Sequence, residues 1–186
     1  MPNAHHEIAQ TRRSLLQQRA QAFCAAFLDL SNNPPNKILD DHFTIATPQI
    51  TEHGPAWANE RLPFLGETFT GREGCLEYFD LLSKTLEFIP NAETFPGEEG
   101  FIVDDTTRVE AGAIVARADS GMGLGWDGRG AVSVVGKAKF RTVKTGKEWE
   151  EQFTYRLSGF DEAGRLGHWE VWADPLSAWI AVRGDD

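Results

Sequence analysis

The fold class can be predicted from one stretch of the sequence, residues 131–160, which reads AVSVVGKAKFRTVKTGKEWEEQFTYRLSGF. Apolar and polar side chains alternate on both sides of residues 144–147 (KTGK), a sequence that is typical of a tight turn. Alternation with a period of two residues indicates strands that bury one face. The stretch therefore predicts two long antiparallel strands, Ala131–Val143 and Glu148–Phe160.

Other parts of the chain predict more strands and, before them, helices. Apolar residues at helical spacing predict helices over Ile8–Leu30 and Arg72–Leu86. The chain then extends from His42 to His53, and period-two patterns predict three further strands: Leu86–Phe95, Thr107–Asp119 and Leu166–Asp174. Helices that come early and strands that come late favour an α+β fold with the helices on one face of a curved antiparallel sheet.

Composition indicates one acidic globular domain. The chain has 186 residues and a net charge of −10, so we expect a single domain over 1–186 with frayed ends at 1–7 and 181–186. An acidic surface repels phosphate backbones and anionic lipid, which argues against nucleic acid and membrane as partners. The N-terminus lacks an apolar signal, and two cysteines are too few for a disulfide framework. We therefore expect a cytoplasmic protein.

Several short motifs together resemble the NTF2-like superfamily, in particular its SnoaL-like small-molecule enzymes. These motifs are residues 53–55 (HGP), 66–74 (GETFTGREG), 78–79 (YF), and the closing segments 164–166 (GRL) and 172–174 (WAD). The resemblance covers about Leu15 to Trp179. It implies a cone in which the sheet wraps the helices around a deep pocket, and a homodimer through the outer face of the sheet.

The resemblance leaves several functions open, because one fold hosts many activities. We expect a cofactor-independent isomerase or cyclase that acts by acid–base chemistry on a small hydrophobic metabolite, in secondary-metabolite biosynthesis. One alternative is a limonene-type epoxide hydrolase or a dehydratase. Another is a non-catalytic domain for small-molecule binding or dimerisation.

His53 is the first candidate catalytic residue. It lies at the end of the first predicted strand, at the position where ketosteroid isomerase-like members carry an aspartate base. An imidazole titrates near neutral pH and can move a proton between carbon and oxygen atoms. The alternative interpretation is a histidine that caps the strand end.

Arg117 and Asp119 are the second candidate pair, on one face of a predicted strand. They resemble the Arg-x-Asp of limonene epoxide hydrolase-like members, but Val171 stands at the position matched to that family's second aspartate. The isomerase mechanism also lacks a part, since Phe23 replaces the tyrosine that donates to the oxyanion. The alternative for the pair is an ordinary surface ion pair.

Aromatic side chains suggest a pocket for flat or terpenoid molecules. We expect five residues to contact the substrate: Trp57, Tyr78, Tyr155, Trp169 and Val171. Residues 123–128 (GLGWDG) match a dinucleotide-binding motif, but a predicted strand follows them where such a site needs a helix. The histidines show no paired metal-ligand spacing. We therefore expect no cofactor and no metal.

Overall fold

The structure is a computed structural model that describes residues 4–108 and 129–183. Within these ranges the chain forms four helices: α1 (Ala4–Ala26), α2 (Pro35–His42), α3 (Gly71–Thr85) and α4 (Pro175–Arg183). It also forms seven strands: β1 (Gln49–His53), β2 (Thr68–Thr70), β3 (Leu86–Ile89), β4 (Ile102–Arg108), β5 (Arg129–Thr142), β6 (Glu148–Ser158) and β7 (His168–Trp172). Three short 3-10 turns complete the description: Phe27–Asp29, Ala56–Glu60 and Glu98–Gly100.

The seven strands form one curved, open sheet in the order β2-β1-β7-β6-β5-β3, and β4 pairs with β5 next to β3. The predicted α+β class is confirmed. The sheet is mixed, however, because β1 runs parallel to β7. A purely antiparallel sheet was therefore a wrong expectation for this pair. Local alternation cannot reveal a partner that lies more than a hundred residues away along the chain.

The helices cover the inner face of the sheet. Leu16, Ala20 and Phe23 recur at helical spacing on α1 and are fully buried. The Phe23 ring meets the ring of Trp169 on β7 with 5.3 Å between centroids. Helix α3 packs against β1 and β2. The two predicted long helices therefore do lie against one face of the sheet, and the space between them and the sheet forms a cavity.

The predicted hairpin β5–β6 is confirmed. The conformation of its turn explains why the sequence predicts it. Gly146 has a φ of +70°, a conformation that side chains with a Cβ rarely adopt. Its N–H donates to the carbonyl oxygen of Thr142 at 3.0 Å. The two strands then pair without interruption from Ala131 with Ser158 to Arg141 with Glu148.

Several predicted boundaries shift. Helix α1 ends at Ala26, and a 3-10 turn follows where helix was expected up to Leu30. The segment predicted as extended from His42 is strand only over β1, because His42 still belongs to α2. The sequence analysis did not predict strand β2 or helix α4. It also missed the part of β4 that precedes residue 107. The remainder of the predicted strand Thr107–Asp119 beyond residue 108 lies outside the described residues.

No helix in the described ranges is both long enough and apolar enough to cross a lipid bilayer. Cys24 and Cys75 are buried and unpaired, as expected for small apolar side chains. Burial also raises the pKa of the Cys75 thiol to about 12. Neither thiol therefore suits a role as a nucleophile.

Candidate functional site

A cavity of about 250 Å³ lies between the helices and the inner face of the sheet. Of the described residues, nine aromatic side chains line it, and most of the others are aliphatic. Its acidic groups lie at three depths: Glu52 is buried, Glu151 is half-buried and Asp174 is exposed at the rim. The site is thus an apolar chamber with a few polar groups, as is common for pockets that bind small molecules.

Strand pairing places three cavity residues in one row. Glu52 of β1 lies beside Val171 of β7, and Val171 lies opposite Tyr155 of β6. Because neighbouring strands are about 4.8 Å apart, the Cα atoms of Glu52 and Tyr155 are separated by roughly 10 Å. Both side chains line the cavity. A ligand above Val171 therefore has a carboxyl group on one side and a phenol on the other.

The carboxyl group of Glu52 is held by Tyr78 of α3. The Tyr78 hydroxyl donates to Oε2 of Glu52 at 2.7 Å, and both residues are buried. Burial raises the pKa of Glu52 to about 7, the hydrogen bond from Tyr78 opposes the rise, and the charge of Glu151 adds to it. At neutral pH this carboxyl group is therefore close to half ionised, which suits a group that takes and returns a proton.

A second carboxyl group, that of Glu151, lies further along β6 towards the rim. Its Oε2 accepts a hydrogen bond from the indole nitrogen of Trp149 at 2.6 Å. Burial raises its pKa to about 7 as well. Beyond it, Asp174 caps the start of α4, and hydrogen bonds from Ser177 and Leu176 hold the pKa of Asp174 below its ordinary value. Asp174 is therefore ionised throughout the physiological range.

Two donor groups in the cavity wall have no partner among the described residues. Tyr155 is 6% exposed, lines the cavity and makes no hydrogen bond to the described residues through its hydroxyl. The indole nitrogen of Trp169 is buried without a hydrogen bond. Buried donors are costly when unsatisfied. The Tyr155 hydroxyl lies in the cavity wall and is therefore able to donate a hydrogen bond to a ligand oxygen.

The structure brings together four of the five residues predicted to contact a substrate. Tyr78, Tyr155, Trp169 and Val171 all line the cavity. Trp57 does not: its side chain is 64% exposed, and its ring packs against Trp179 on the surface. Trp57 belongs to the 3-10 turn that follows β1, which directs it away from the inner face of the sheet.

His53 lies on the outer face of the sheet and does not line the cavity. Successive side chains of a strand point to opposite faces, so His53 and Glu52 diverge. The His53 ring stacks on Trp172 at 4.1 Å, and its Nε2 lies 3.1 Å from Oε1 of Glu170. Glu170 also pairs with Arg156. This position gives His53 no access to a ligand in the cone, and the predicted homodimer through the same face stays a prediction.

Arg117 and Asp119 lie outside the described residues, as does the glycine-rich motif at 123–128. Their predicted roles, and with them the epoxide-hydrolase alternative, stay predictions. In the part of the chain that the structure describes, no cluster of three or more His, Cys, Asp or Glu residues could hold a metal ion.

Sequence reasoning missed Glu52 because the choice between Glu52 and His53 depends on strand register. Moving the register by one residue exchanges the two faces of a strand. One signal was available: Glu52 shares the face of Ile50, an apolar residue that is fully buried, whereas His53 shares the face of Thr51 and Gln49. A lone glutamate on an apolar face indicates a buried carboxyl group.

The raised pKa of Glu52 has a consequence for stability. We expect Glu52→Gln to increase the free energy of unfolding at pH 8 by about 3 kcal/mol, since each unit of pKa difference corresponds to about 1.4 kcal/mol. The carboxyl pKa is about 7 in the folded chain against an ordinary 4.5. The folded state therefore holds a proton that the unfolded chain releases between these values, and its stability falls as the pH rises through this window.

Urea unfolding at pH 8 and at pH 4.5 measures this effect. At pH 4.5 the variant and the wild type should differ little, because Glu52 is then protonated in the folded state. Glu150→Gln is the control, since Glu150 is exposed on the other face of β6, and it should change stability little at either pH. A Glu52→Gln variant that is less stable than the wild type at pH 8 would contradict the burial argument.

Comparison with solved structures assigns the fold. An NTF2-like protein from Burkholderia xenovorans matches 91% of this chain and 97% of its own, with 13% identity and a TM-score of 0.57. A candidate isomerase from Bacillus subtilis matches 90% and 95%, with 12% identity and a TM-score of 0.55. A candidate polyketide cyclase from Xanthomonas campestris matches 90% and 98%, with 10% identity and a TM-score of 0.51.

These likenesses show that the chain has the NTF2-like fold, as the resemblance implied. No protein-family model matches the chain, and no curated protein is similar to it in sequence. The fold admits several chemistries, so the function must be argued from the site.

Proposed function

We propose that the protein is an acid–base isomerase or cyclase that binds a small, largely apolar metabolite in the cone, with Glu52 as the base. The observation that carries the proposal is the buried carboxyl group of Glu52, held by Tyr78 inside an apolar cavity with a pKa of about 7. The candidate isomerase and candidate cyclase among the proteins of similar fold support this class of reaction.

The proposed reaction begins with proton transfer from carbon. The Glu52 carboxylate takes a proton from the carbon that lies between a ligand carbonyl and a carbon–carbon double bond, and the electron pair of the broken C–H bond moves into a dienolate. The Tyr155 hydroxyl donates a hydrogen bond to the carbonyl oxygen as that oxygen gains negative charge. Glu52 then returns the proton to the far carbon of the former double bond, so that the carbonyl re-forms and the double bond moves next to it, which isomerises the ligand. These steps move only a proton and therefore need no cofactor.

The first test measures proton transfer on a defined probe. 2-Tetralone is a flat, apolar bicyclic ketone whose hydrogens next to the carbonyl exchange slowly with solvent. We expect the protein to accelerate exchange of these hydrogens for deuterium in D₂O, measured by NMR against a buffer blank. The rate should rise with pH through about 7, because only ionised Glu52 acts as a base.

The same assay separates an enzyme from a carrier. Binding of 2-tetralone is followed in parallel by quenching of tryptophan fluorescence, since Trp169 lines the cavity. Binding without accelerated exchange would contradict the proposed catalysis and favour a non-catalytic binding domain.

A further inference from the structure

Among the described residues, the cavity is lined by acidic side chains and by no basic one. Glu52, Glu151 and Asp174 line it, and no Lys, Arg or His of the described residues does. The groups that shift the pKa values of these three residues include no cation. Burying a carboxyl group without a cationic partner is unfavourable. A positively charged group of a ligand can therefore serve as the partner of these carboxyl groups.

On β6, the glutamates of the outer face differ from Glu151, which lies on the inner face. Glu148 and Glu150 of β6 point outward, and each pairs with a lysine of β5, at 3.3 Å to Lys139 and 3.1 Å to Lys137. Glu151, the residue after Glu150, points inward, and among the described residues it is held only by the indole of Trp149 and by the backbone at Asp174. Within the described ranges, the two outward glutamates of this strand are thus paired with lysines, and the inward one has no cationic partner.

The aromatic wall is a second and independent feature that suits a cation. Aromatic faces attract ammonium groups, most strongly when the cation is removed from water. The rings of Phe153 and Tyr155, next to Glu151 on the inner face of β6, lie 4.8 Å apart. Tyr155, which is 6% exposed, belongs to the same wall, and its hydroxyl, which makes no hydrogen bond to the described residues, offers a donor to a ligand oxygen.

We propose that the ligand is an apolar ring compound that carries a protonated amino group, bound by Glu151 with Asp174 at the rim of the cavity. This assignment rests on the cavity of the proposed function and not on its proton transfer. The amino group lies towards the rim, and the ring system fills the aromatic chamber. The other end of the ligand then reaches Glu52 and Tyr155 in the interior.

The test compares ligands that share one bicyclic frame and differ in charge: 2-aminotetralin, 2-tetralol and tetralin-2-carboxylate. Dissociation constants are measured by calorimetry at pH 8, where Glu52 and Glu151 are largely ionised. We expect the amine to bind about tenfold more tightly than the alcohol, and the carboxylate to bind most weakly. Equal affinity for amine and alcohol, or tighter binding of the carboxylate, would overturn the assignment.

Two matched variants locate the cation. Glu151→Gln should weaken binding of 2-aminotetralin by about tenfold and leave 2-tetralol unaffected, which also shows that the cavity is intact. Glu150→Gln, one residue away on the outer face, should change neither. Asp174 is left in place because it caps α4. If the amine preference survives Glu151→Gln unchanged, the assignment is wrong. Exchange of 2-tetralone does not enter this test, so the two proposals can fail separately.

Discussion

Replacing Glu52 with glutamine is expected to lower the rate of α-hydrogen exchange in 2-tetralone by about 10²–10⁴-fold, the usual contribution of one acid–base group. Glutamine keeps the shape of the side chain, and its amide oxygen can still accept the hydrogen bond of Tyr78. The variant should therefore fold and bind 2-tetralone as the wild type does. Only the group that takes the proton is lost.

His53→Ala is the matched control for this substitution. His53 is the next residue of the same strand, but its ring lies on the outer face against Trp172. We expect the exchange rate to stay at the wild-type value. Loss of exchange in His53→Ala, together with a wild-type rate in Glu52→Gln, would return the catalytic role to His53 as the sequence suggested.

Replacing Tyr155 with phenylalanine is expected to lower the exchange rate by about 10²–10³-fold, the usual cost of removing one oxyanion donor. The Tyr155 hydroxyl has no partner among the described residues, so its removal leaves none of them without a hydrogen-bond partner. Its hydrogen bond to the ligand strengthens as the carbonyl oxygen becomes negative, and the effect therefore belongs in kcat more than in binding.

Tyr78→Phe distinguishes a donor to the ligand from a donor to the base. The Tyr78 hydrogen bond lowers the pKa of Glu52, so its loss should raise that pKa and move the pH profile of exchange towards higher pH. Tyr155→Phe should reduce the exchange rate at every pH, and it should shift the pH profile less than Tyr78→Phe does. A wild-type rate for Tyr155→Phe would remove Tyr155 from the mechanism.

The parts of the fold that follow from local patterns could be predicted from the sequence. The buried stripe of α1 and the hairpin β5–β6 each express their periodicity within one continuous stretch. The pairing of β1 with β7 could not be predicted, because it joins Gln49 to His168 across the length of the chain. Strand β2 was missed for another reason, since its three residues are too few to show a period.

The site could be predicted only in part, and the reason is register. Trp169 and Val171 were placed on one face of the last strand, and both line the cavity. Glu52 was passed over in favour of its neighbour, although the two residues point to opposite faces. Glu151 was also missed. The segment 148–151 (EWEE) contains three glutamates, and its sequence does not show which of them pair with a lysine of the adjacent strand. That depends on the cross-strand pairing of β5 with β6.

Glu52 acts as a base at neutral pH because burial raises the pKa of its carboxyl group. An NMR titration tests this central claim most directly. The side-chain carboxyl carbon of Glu52 is labelled with ¹³C and assigned by its absence in Glu52→Gln, and its chemical shift is followed from pH 3 to pH 9. We expect a midpoint of about 7. A midpoint near 4.5, the ordinary value for glutamate, would show a solvated carboxylate and contradict the account.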